Sequence, residues 1–156
     1  MAKLYLVRHA AAGERRLWEG DDLARPLSPK GWKQAELIAT RLAPLQVSTL
    51  HSSSYVRCVQ TLEPLADRLQ RSIAIEPRLC EDEPFEPLLA MLAEVPDGAV
   101  MCSHGDIIPA AIMALERRGT EIRTPPDWRK ASVWVLRRNK HGKVVHATVW
   151  PPPNLS

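Results

Sequence analysis

KLYLVRHA, residues 3–10, decides how the rest of the chain is read. Lys3 to Val7 is a short apolar run with strand-compatible side chains, and it stops at Arg8-His9 before Ala10–Gly13 gives way to polar loop. The run reads as a buried first strand with a cation and an imidazole at its carboxyl end. Further along, Ser28-Pro29 offers a helix cap followed by proline at the first helical position. Ala35, Ile38, Ala39 and Leu42 then recur at helical spacing up to Pro44.

The alternation continues. Val47 to His51 reads as a second strand, and Val56, Val59, Leu62, Leu65 and Leu69 as the inner face of a helix that Pro64 is placed to kink. Ile73 to Ile75 is a brief strand; Leu88, Leu89, Leu92 and Ala93 mark another helix, and Ala99 to Cys102 another buried strand. Ile107 to Leu115 reads as a helix with Pro109 in its first turn. Ala131 to Leu136 and Val144 to Val149 form a hairpin through Asn139–Gly142. Strands alternating with helices predict a three-layer α/β/α sandwich around a mainly parallel sheet, where ligands sit at the carboxyl ends of strands.

At 156 residues, with 45% hydrophobic and 25% charged side chains, the chain fits one globular domain over residues 1–150, followed by a proline-rich tail at 151–156. The formal charge of +3 is spread along the chain without a basic block or aromatic interleaving, so no nucleic-acid partner is expected. No run approaches the ~20 apolar residues of a membrane span, and Leu4–Val7 is too short for a signal core. Cys58, Cys80 and Cys102 have neither metal-ligand spacing nor an even count, which points to a reducing cytoplasm. His51, His141 and His146 likewise have no metal-spaced partner, and no metal or cofactor is expected.

Three strand ends then hold the chemistry. The first carries Arg8-His9, the second leads through Ser52-Ser53-Ser54 to Arg57, and another ends in Ser103-His104-Gly105. Guanidinium forks match phosphate oxygens, helix starts add backbone donors, and a largely unprotonated imidazole is a competent nucleophile. Phosphoryl transfer needs mainly positioned cations. The serine run itself is turn and cap chemistry.

LVRHA (6–10), SSSYVRCVQT (52–61) and SHGD (103–106) together resemble the histidine phosphatase, or phosphoglycerate mutase-like, superfamily. DLARPLSPKGWKQ (22–34) is similar to its short phosphohistidine phosphatases of the SixA type. The resemblance implies the phosphoglycerate mutase-like fold, His9 as the phosphorylated nucleophile, Arg8 and Arg57 as phosphate ligands, and His104 as the second pocket histidine, with Gly105 beside it. It also implies an acid for the leaving oxygen, with Glu81 the first choice and Asp82 and Glu83 as rivals; a phosphohistidine substrate dispenses with it. Ala10 departs from the family's usual glycine. Arg25 either reaches the substrate or pairs with Asp21 or Asp22 at the surface. The expected partner is a phosphorylated protein or a small phosphorylated metabolite. The alternatives are a non-catalytic phosphate-binding module and a mutase-type transfer.

Overall fold

The computed structural model describes residues 1–155; Ser156, the last residue of the expected tail, lies outside the described residues. Seven strands form one sheet: β1 (Ala2–Arg8), β2 (Leu50–Ser52), β3 (Ile73–Ile75), β4 (Val100–Ser103), β5 (Glu121–Ile122), β6 (Val133–Arg138) and β7 (Val144–Trp150). Their spatial order is β3-β2-β4-β1-β6-β7-β5. Pairings β1·β4, β2·β3, β2·β4 and β5·β7 are parallel, while β6 runs antiparallel to both β1 and β7.

Successive side chains of a strand face opposite ways, and β1 shows it: Leu4 and Leu6 enter one core, Tyr5 and Val7 the other. The helices α1 (Pro29–Leu42) and α2 (Val56–Leu69) cover the Tyr5/Val7 face; α3 (Glu86–Glu94) and α4 (Ile107–Arg117) cover the Leu4/Leu6 face. The sheet is therefore the middle layer of an α/β/α sandwich. Burying apolar area on both faces of a strand explains why β1 and β4 read as unbroken apolar runs.

Several element ends, among them the start of β6 at Val133 rather than Ala131, and one strand differ from the sequence reading. β2 begins at Leu50 because Val47–Thr49 run beside the 96–98 turn, where Ser48 N–H donates to Gly98 O at 3.0 Å and Ser48 Oγ–H to Asp97 O at 2.6 Å. β5, which the sequence reading lacks, has two residues on an edge, too few to show alternation. Helix α2 runs through the buried Pro64 without interruption.

The loop after β1 is anchored on both sides of its path. Ala10 N–H donates to Thr61 Oγ1 at 3.0 Å, and Ala11 N–H to Gln34 Oε1 at 2.9 Å. The Ala11 carbonyl accepts from Ser28 N–H at 3.0 Å and Ser28 Oγ–H at 3.1 Å. A Cβ on Gly31 would lie 1.9 Å from that carbonyl oxygen, so only glycine lets the start of α1 approach this closely. Ala10 is fully buried and is not among the residues with left-handed backbone, which is why a methyl group is accommodated there.

Candidate active site

Parallel pairing places Arg8 opposite Ser103, so the next residues, His9 and His104, leave neighbouring strands side by side. Their rings meet edge to face with centroids 5.5 Å apart, and Tyr55 closes on His104 at 4.7 Å. His9 Nδ1 lies 2.8 Å from the Ala10 carbonyl oxygen. A carbonyl only accepts, so Nδ1 carries the hydrogen and the Nε2 lone pair is left for chemistry. Burial pushes His9 well below the ordinary histidine pKa; the bond to Ala10 opposes this, and the charges of His104, Arg57 and Arg8 add to it. The imidazole is therefore neutral at pH 7.

The cations converge from three elements. Arg8 donates from Nη1 to the Trp128 carbonyl at 2.6 Å, and the Trp128 ring stacks on the buried Trp134 at 5.1 Å. Burial lowers the Arg8 pKa, against the charge of Asp106. Gly105 serves this side chain by leaving room: a Cβ there would lie 2.5 Å from the Arg8 guanidinium carbon. Arg57, on the first turn of α2, has a fully buried side chain. It donates from Nη1 to Asp22 O at 3.0 Å and from Nη2 to Asp22 Oδ2 at 3.1 Å and Glu81 Oε2 at 3.4 Å. His104 Nε2 lies 2.8 Å from Ser53 Oγ and 3.5 Å from Cys58 Sγ. Arg8 Nε, Arg57 Nε and His104 Nδ1 are all buried without a hydrogen-bond partner among the described residues. Buried polar atoms of this kind are uncommon in folded proteins, and three around one imidazole fit a site shaped for an anion.

A cavity of about 290 Å³ opens over His9, lined by Arg8, Arg25, Glu81, Gly105 and Lys130 among others. Arg57 and His104, at 0% and 1% exposed, are not in its lining, and Asp22 and Glu81 occupy the Arg57 fork. Of the three candidate acids only Glu81 reaches the cavity, where its Oε1 also accepts from Arg15 Nη2 at 2.9 Å. Asp82 and Glu83 are exposed and not among the cavity's lining, and Asp82 N–H donates instead to Asp106 Oδ2 at 2.8 Å.

Arg25 both lines the cavity and pairs with an aspartate, though not at the surface. It is 5% exposed and holds Asp22 Oδ1 at 2.8 Å together with the Gly13 carbonyl. Burial would raise the Asp22 pKa, but the Arg25 hydrogen bond and the charges of Arg57, Arg25 and Arg15 hold it below the usual carboxylate value. The sequence reading gave Asp22 only as a candidate partner of Arg25, and gave Arg15 and Lys130 no role. Besides its contact with His104, Ser53 Oγ accepts from Tyr55 N–H at 3.2 Å, while Tyr55, not Ser54, takes the cap position of α2. Among the described residues no group of three or more His, Cys, Asp or Glu side chains is arranged to hold a metal, and no helix is long and apolar enough to cross a membrane.

Comparison with known proteins agrees with this geometry. The profile of the histidine phosphatase superfamily (branch 1) matches residues 4–83. An 8-oxo-(d)GTP phosphatase of Mycolicibacterium smegmatis is 36% identical over 156 residues, 96% of this chain and 48% of that protein. A probable phosphoglycerate mutase GpmB of Escherichia fergusonii is 37% identical over 84 residues, 52% of this chain and 38% of the relative. The chain thus spans about half or less of the length of the curated relatives it matches. In fold, the protein histidine phosphatase SixA complexed with tungstate superposes with a TM-score of 0.75 at 22% identity, covering 95% of this chain and 94% of that one. A mycobacterial glucosyl-3-phosphoglycerate phosphatase superposes at 0.70 with 20% identity, covering 98% and 100%. At these identities the superpositions establish a shared fold.

Proposed function

The chain belongs to the histidine phosphatase superfamily, and on that footing we propose that it is a phosphatase working through a phosphorylated His9 and requiring no metal. The observation that carries this reading is the buried, neutral His9 whose Nδ1–H is committed to Ala10. Its Nε2 faces the one task of attacking phosphorus.

In the first step a bond forms from His9 Nε2 to phosphorus as the bond from phosphorus to the leaving oxygen or nitrogen breaks. Arg8, Arg57 and His104 hold the equatorial oxygens, where charge sits in a loose phosphoryl-transfer transition state. The arriving dianion displaces the Asp22 and Glu81 carboxylates from Arg57. Glu81, released from Arg57 and taking up a proton from solvent, then passes that proton to a poor leaving oxygen. In the second step water attacks phosphorus and gives its proton to the Glu81 carboxylate or to solvent, the bond to His9 breaks, and orthophosphate departs with the imidazole restored.

The substrate is a phosphorylated protein or a small phosphorylated metabolite. The relative named for 8-oxo-(d)GTP supports the small molecule, and the SixA superposition is compatible with a protein. Residues 1–150 act as one unit, and three free cysteines, two of them buried, suit a reducing cytoplasm. The test is hydrolysis by wild type and His9→Ala, in EDTA, of a phosphohistidine protein and a panel of phosphomonoesters. Activity that survives EDTA and is lost with His9 is expected; undiminished activity in His9→Ala overturns the proposal.

A further inference from the structure

Beside the cavity over His9 lies a second, larger pocket of about 850 Å³, and the two share Arg8 and Lys130 in their walls. Lys30 and Arg129 add two more cations to the larger one, and among the described residues its lining holds no carboxylate. Gln34 is 5% exposed; its Oε1 is committed to Ala11 N–H, and its Nε2 donors have no partner among the described residues. Lys130 is half-buried and makes no hydrogen bond or ion pair among the described residues. Its charge is opposed by burial and by Arg8, Arg25, Arg57 and Arg15 around it. Arg129 is paired with Asp127, at 2.6 Å and outside the lining, whereas Arg8, Lys30, Lys130 and the buried amide donor have no carboxylate partner within hydrogen-bond distance among the described residues, an arrangement suited to receive an anion.

Resting on the phosphatase reading above, we propose that this pocket is a second anion subsite, and that the substrate ends in a diphosphate whose outer phosphoryl group meets His9 while the inner one meets Lys130, Lys30 and Arg129. Sharing Arg8 and Lys130 makes the two sites contiguous, as two linked phosphoryl groups require. The chemistry balances without another reactant. The bond from His9 Nε2 to the outer phosphorus forms, the bond from that phosphorus to the bridging oxygen breaks, and the electron pair leaves on the inner phosphate, whose conjugate acid has a pKa of about 6. Water then releases orthophosphate from His9. Such a leaving group needs little help from an acid, which agrees with Glu81 still being paired with Arg15 after the dianion has displaced it from Arg57.

The test is calorimetric binding of inorganic phosphate, methylenediphosphonate and phosphonoacetate to wild type and to the double variant Lys30→Met/Arg129→Met, both positions outside the lining of the His9 cavity. Methylenediphosphonate is expected to bind wild type at least about tenfold more tightly than phosphate or phosphonoacetate, about 1.4 kcal/mol. The double variant should abolish that preference and change phosphate affinity by no more than about twofold, whereas Lys140→Met, a cation outside both pockets, should preserve it. Equal binding of phosphate and methylenediphosphonate by wild type, or a preference that survives the double variant, overturns the subsite. Phosphonoacetate matching the bisphosphonate overturns the diphosphate assignment. Absence of His9-dependent hydrolysis would instead overturn the phosphatase reading, and the binding comparison is read separately from it.

Discussion

Asp22 grips Arg57 twice, through its carboxylate at 3.1 Å and its backbone carbonyl at 3.0 Å, and so occupies two of the guanidinium donors that a phosphoryl group would use. The carboxylate competes with the substrate. Asp22→Asn keeps the backbone bond and removes the charge, so inorganic phosphate should inhibit the variant at about three- to tenfold lower concentration, roughly 0.7–1.4 kcal/mol. Unchanged or weaker inhibition would show that Asp22 orients Arg57 for the substrate instead.

His9 sets the acid side of the pH dependence. Its folded-state pKa is depressed, so between that value and the unfolded ~6.5 the unfolded chain binds more protons than the native one. Stability contributed by keeping this ring neutral is present above pH ~6.5 and is lost as pH falls through that window. By NMR the His9 ring should titrate well below 6.5 in the free protein, and urea unfolding should show a pH slope there that His9→Asn removes. A His9 titration at or above 6.5 would contradict the burial argument.

Two glycines separate stability from binding. Gly31→Ala sets a methyl group against the Ala11 carbonyl and should cost about 1–3 kcal/mol in urea unfolding, the usual range for overpacking. Gly105→Ala presses on the movable end of Arg8, so it should lower kcat/KM for a phosphomonoester roughly 10- to 100-fold, about 1.4–2.7 kcal/mol, with a much smaller effect on unfolding. Equal effects of the two on unfolding would refute that division.

Glu81 matters only where the leaving group needs a proton. Glu81→Gln should reduce kcat for an alkyl phosphate by about 10²-fold or more, while an aryl phosphate with a good leaving group, or a phosphohistidine, changes little. A uniform loss over all substrates would mean that Glu81 acts through Arg57 and Arg15.

The sandwich and the strand ends at Arg8-His9 and Ser103-His104 are legible in the chain because each closes an apolar run buried on both faces, and such runs deliver their last residues to the sheet's carboxyl edge. The start of α1 is legible from Ser28-Pro29, a local signal. The Asp22–Arg57 clasp is not, since 35 residues separate the partners and only the packed course of the loop brings them together. Arg25 illustrates the same limit: an arginine three residues from an aspartate reads equally as a substrate contact or a surface pair, and only the fold shows it buried, paired with Asp22 and lining the cavity. β5 escapes because two residues carry no period.

Whether His9 carries the phosphoryl group is decided by trapping it. Acid-free quenching of the wild type with a ³²P-labelled substrate should capture label on His9, stable to base and released by acid, and His9→Ala should carry none and lose at least about 10³-fold in kcat/KM, some 4 kcal/mol. Turnover at the wild-type rate without label on His9, or in the absence of His9, would contradict a phosphohistidine intermediate.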